Sequence, residues 1–168
     1  MKNILLTILM LLPFIVIGQE SKLSDLISSQ INRYQKGKDY SWITDSPLSL
    51  PRTSSLKNVT PKFEGVVFYD SNEVSLIGEY VDGNVIAYPT FGEYKIYAEK
   101  NIGQSNEEGI IIITTVGIGD PNYPHSPSGV DEGQKIVINY KIFSETEILL
   151  GYDNKRSFFY EIRYDQIK

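Results

Sequence analysis

The chain contains no cysteine, one histidine, one tryptophan and two methionines in 168 residues. Without cysteine there is no thiol nucleophile, no thiolate metal site and no disulfide framework. A single histidine cannot build a His-rich zinc site, which takes several nitrogen or sulfur ligands. There is no Gly-x-Ser-x-Gly elbow, and Gly117-Ile118-Gly119 lacks the following helical pattern that a phosphate cradle needs. Basic blocks are also missing. An acidic chain without clustered Lys and Arg is a poor nucleic-acid binder, so no nucleic-acid partner is expected.

Long apolar runs are scarce as well. The first comprises Ile4 to Ile17, preceded by Lys2 and closing on Val16-Ile17-Gly18 before Gln19. It is too short, and too interrupted by Pro13, to span a bilayer, and it reads as a Sec-type signal peptide cleaved after Gly18. The expected destination is the periplasm or the extracellular space of a bacterium. Cleavage removes Lys2 and leaves 15 basic residues against 21 acidic ones, a net charge of −6. The remaining stretch, 19–168, suits a single domain large enough to bury a core without disulfides.

Residues 21–36 place Leu23, Leu26, Ile27, Ile31 and Tyr34 on one stripe of a helical period, with Ser21 as cap and Gly37 as terminator. This predicts an amphipathic helix laid over a sheet or barrel mouth. Residues 38–62 hold Pro47, Pro51 and Pro61 and read as an irregular connector, pinned to the core by Trp42. From Phe63 the pattern alternates. Strands are expected over 63–69, 74–81, 84–88, 91–99, 109–119, 135–143, 146–152 and 156–165, and Asp82-Gly83 marks a tight hairpin. The implied fold is mainly β, an about eight-stranded antiparallel barrel or two-sheet sandwich with one N-terminal helix.

The second apolar run, Gly109 to Gly119, is β-branched on both alternating faces, which predicts a central strand covered on both sides. It leads into residues 120–133, a loop whose length fits either a functional site or a solvated excursion. That loop carries the candidate binding residues Asp120, Tyr123, His125, Asp131 and Glu132. Asp120 with Asn122, and Asp131 with Glu132, do not follow the ligand spacing of an EF-hand, and His125 beside Ser126 is no triad signature. No metal, no cofactor and no catalytic residue are assigned.

Further binding candidates are aromatics on the strand faces expected to be wet: Tyr97, Phe143 and Phe159. In the last strand Phe158 and Tyr160 are expected inside, with Phe159 outside. Together these features suggest an exported, non-enzymatic binding protein. A barrel interior or mouth lined by Tyr and Ile beneath the helix would take a small apolar or sugar-like ligand. The alternatives are a protein-interaction module, an inhibitor or envelope accessory using the 120–133 loop, and, more weakly, a small carboxylate-dependent hydrolase. The partner is thus an unknown small molecule or an envelope or extracellular protein.

Overall fold

The apolar stripe near the N-terminus folds as helix α1 (Lys22–Tyr34), with Leu23, Leu26 and Ile27 buried and Ile31 packed against the core. Ser21 caps it: the Ser24 amide donates to Ser21 Oγ at 3.4 Å. The structure, a computed structural model, describes residues 20–34, 40–50, 62–70, 72–78, 80–81, 84–85, 90–118 and 132–163. The signal segment therefore lies outside the described residues.

The described strands are β1 (Tyr40–Ser49), β2 (Lys62–Phe68), β3 (Glu73–Ile77), β4 (Tyr80–Val81), β5 (Asn84–Val85), β6 (Thr90–Lys100), β7 (Glu108–Ile118), β8 (Lys135–Ser144), β9 (Glu147–Tyr152) and β10 (Lys155–Arg163). Eight of them close an antiparallel barrel in the order β1-β10-β9-β8-β7-β6-β3-β2. The chain winds up and down around it, and the pairing of β1 with β10 closes the strand order. β4 and β5 form a separate two-stranded ribbon. The fold is therefore a mainly β barrel, with one short helix among the described residues, and not a sandwich.

The bore of an eight-stranded barrel is just wide enough for side chains to fill. Here Trp42, Phe63, Phe68 and Phe159 fill it, all fully buried. Phe63 stacks on Phe159 with centroids 5.6 Å apart. Trp42 meets Phe68 edge-on at 5.7 Å, and Phe68 meets Tyr94 at 4.8 Å. Burial of each such ring stabilises the fold by roughly 2–3 kcal/mol. The aromatics set the barrel's contents.

Four expectations are corrected. Residues 40–49, read as connector, are a barrel strand; Pro47 is tolerated because the β1–β2 register shifts between Ile43 and Leu48, where no regular ladder bond is lost. Of the strand expected over 84–88, the described part, Asn84–Val85, pairs with Tyr80–Val81 outside the barrel, which keeps its eight strands by taking β1 instead. The 109–119 run is not covered on both sides, because a single barrel buries only one face. Ile111, Ile113 and Thr115 point inward and are buried, whereas Ile110, Ile112 and Thr114 are half-buried and Val116 is exposed. Finally, β10 faces the other way: Phe159 is in the core, while Phe158 and Tyr160 are outside.

Candidate functional site

Helix α1 lies across one mouth of the barrel, tied down at both ends. At its N-terminus the buried Glu107 carboxylate, from the β6–β7 turn, accepts from Ser21 Oγ at 2.6 Å, from the Lys22 amide at 2.7 Å and from the Leu23 amide at 3.2 Å. A negative group on the first free amides of a helix is stabilised by those amides and by the helix dipole. Glu107 also accepts from the Gly103 amide at 2.7 Å and from the Tyr140 hydroxyl at 2.8 Å. At the other end Arg33 pairs with Glu161 of β10. In strand order β10 is roughly opposite the β6–β7 turn, so the helix spans the opening.

Beside the helix the barrel wall is incomplete. β3 is 5 residues long and β6 is 11, and the two pair only from Thr90 to Glu93. The Tyr94 amide still reaches the β2–β3 turn, donating to the Asn72 carbonyl at 2.8 Å. Beyond it, no strand among the described residues pairs with this edge of β6. The helix occupies part of the gap and leaves a half-open cleft of about 510 Å³ between Ser24, Ile27 and Ser28 on one side and Tyr94 to Tyr97 on the other. A strand mismatch thus creates the cleft.

Its chemistry is divided. Ile27, Ile96 and Tyr94 are its largely apolar lining residues, and Ser24, Ser28 and Lys95 are its polar ones. Tyr97, 49% exposed, adds a second ring. The Tyr94 hydroxyl donates to the Asp70 carbonyl at 3.0 Å, which fixes the ring's position. Burial first, and the nearby Asp70 charge second, push its phenol up to about 12, so it remains a neutral donor. Burial alone would raise the Glu107 carboxyl, but the donors from Ser21, Gly103, Lys22 and Tyr140 outweigh it and hold the group below its ordinary value. The anionic clamp is stable at neutral pH.

The candidates named from sequence fall in different places. Tyr97 lines the cleft. Phe143 is exposed on the outer wall, in contact with Phe158. Phe159 lies in the core, so its assignment to a wet face is corrected; two adjacent phenylalanines make the alternation of β10 ambiguous by one residue, and a one-residue slip inverts every facing. Glu132 is exposed in the turn before β8. Asp120, Tyr123, His125 and Asp131 lie outside the described residues. The loop's return is nonetheless anchored, since the Gly133 amide donates to the Thr115 carbonyl at 2.7 Å.

Ser24, Ser28, Lys95 and Glu107 were not anticipated. The two serines could have been found as the polar flank of the helix stripe. Glu107 looks like any turn acid until the helix is seen above it. Neither a family model, nor a curated protein, nor a solved structure compared with the chain matches it. The β-barrel fold is consistent with a binding protein, and the reading of the site rests on its own geometry.

Proposed function

We propose that the protein is an exported, non-enzymatic binder of a small amphiphilic ligand, seated at the helix-covered mouth. The observation that carries this reading is the 510 Å³ cleft between α1 and β6, within the range of small-molecule sites. The ligand's apolar body lies on Ile27, Ile96 and Tyr94, and its acidic or hydroxylated head meets Ser24, Ser28 and Lys95. With the bore filled by aromatic rings, the mouth is favoured over the interior. The reading includes Sec-type export to the periplasm or beyond.

Native mass spectrometry of the protein purified from its host envelope tests it. A mass increment that organic extraction removes is the expected result. In the Ser28→Phe variant, where a ring enters the cleft from an exposed helix position, the increment should disappear while the melting temperature stays within about 2 °C, as for other surface substitutions. An increment equally present in that variant, or none in the wild type, overturns the mouth site.

A further inference from the structure

The opposite flank of the barrel carries a feature that the mouth site does not use. Three rings stand on its outer wall: Phe143 on β8, 47% exposed, and Phe158 and Tyr160 on β10, 38% and 47% exposed. They form one group. Phe143 meets Phe158 edge-on with centroids 5.1 Å apart, and Phe158 and Tyr160 are near-parallel at 6.5 Å. Single exposed apolar residues are ordinary, but a contiguous aromatic group on a water-facing wall marks a contact surface.

One cleft of about 290 Å³ is lined by Phe158 and Tyr160, and a second of the same volume adjoins it, the two sharing Arg156. The first opens where β1 leaves β10. Their pairing stops at Ile43 and Tyr160, and beyond it the cleft is lined by Thr44, Asp45, Ser46, Arg156 and the two rings. The second crosses the outer wall past Asn139, Lys141, Leu149 and Glu99. Arg156 reaches both because its stem lies over Gly151, where even a Cβ would be 3.2 Å from Arg156 Cγ. Among the described residues neither Asp45 nor Arg156 has an ion-pair partner.

The two clefts together offer acceptors and donors, with acids and bases in balance, and the first adds the two exposed rings. A phosphate-bearing chain would need cations in excess. A flat protein partner would not need two small polar clefts. A ligand that carries hydroxyls around its rim and C–H groups on its faces, repeated along a chain, meets all three kinds of group. We propose that the β8–β9–β10–β1 wall binds a neutral glycan chain, its sugar faces on Phe158 and Tyr160 and its hydroxyls on Asp45 and Arg156.

Affinity electrophoresis in gels containing hydroxyethylcellulose, xylan, laminarin, galactomannan or soluble starch tests this, with size-exclusion chromatography alongside. At least one polysaccharide should retard the wild type, and Phe158→Ala and Tyr160→Ala should each weaken that retardation about tenfold. Asp45→Asn should weaken it too. Ser28→Phe, altered only at the mouth, should be retarded like the wild type, which separates this wall from the mouth site. Unshifted emission of the single, buried Trp42 verifies the fold of each variant. No retardation in any gel, retardation that survives both ring deletions, or a wild-type dimer that Phe158→Ala converts to monomer would each overturn the proposal.

Discussion

Ser21 Oγ lies 2.6 Å from Glu107 Oε1 although 86 positions separate the two residues. The contact joins the helix start to the turn between the two longest strands, so the carboxylate reinforces the Ser21 cap. Replacing Glu107 by Gln keeps the shape but points an amide donor at other donors. The expected loss is about 2 kcal/mol at neutral pH, or about 4–8 °C in Tm for a chain of this size. Because the folded group sits below its ordinary value, its contribution is complete above the ordinary carboxylate range and is lost as pH falls through the folded value. Thermal melts from neutral pH into acid should therefore show the gap between wild type and Glu107→Gln narrowing as pH falls. A gap independent of pH would refute the anionic clamp.

Tyr94 and Tyr140 make the reciprocal case at high pH. Burial foremost raises both phenols above the ordinary 10.0, followed by the Asp70 charge for Tyr94 and the hydrogen bond to Glu107 for Tyr140. A raised folded value means stability that is present below the ordinary phenol range and lost as pH rises through the folded value. Absorbance titration of tyrosinate should thus give a late component, for Tyr94 near pH 12, that merges with the rest in denaturant. Tyr140→Phe should remove part of that component and cost about 1 kcal/mol. It should also move the acid transition governed by Glu107 upward, since the carboxylate loses a donor.

How far the fold was legible depended on how each segment carries its pattern. In β6 and β8 strict alternation, Tyr94 against Lys95 or Ile136 against Lys135, settles which face is buried, and the structure agrees. In β1 the buried Trp42, Thr44 and Leu48 keep an even spacing, but the polar Thr44, Asp45 and Ser46 interrupt the apolar pattern between the two anchors, and Pro47 suggests a loop. The cleft was less legible still. It arises from the length difference between β3 and β6, a property of pairing rather than of either strand alone.

The facing of β10 can be checked directly by a pair of neighbours. Phe159 is fully buried and stacked on Phe63, so Phe159→Ala leaves a ring-sized cavity and should cost about 3–5 kcal/mol. Phe158 stands on the outer wall, and Phe158→Ala should stay within about 0.5 kcal/mol of wild type. Urea unfolding of the two variants, followed by Trp42 emission, gives both values. Comparable losses at the two positions would mean that β10 does not hold a single register.

Two glycines should respond to substitution for different reasons, and Asn distinguishes them. At Gly133 φ is +76° and the space around a Cβ is open, so the constraint is conformational. Asn visits that region more readily than other residues with a side chain. Gly133→Asn should therefore cost less than Gly133→Val. At Gly109 the constraint is space, because a Cβ would overlap the Tyr97 carbonyl oxygen and would come within 2.9 Å of Tyr140 Cε1. Here Ala alone forces β7 away from β6 and should cost about 1–3 kcal/mol, with Asn no better than Val. The strain falls on Tyr97, which lines the cleft, and on Tyr140, whose hydroxyl donates to Glu107. Gly109→Ala should accordingly lower stability and weaken ligand retention at the mouth together, whereas Gly133→Val should lower stability alone.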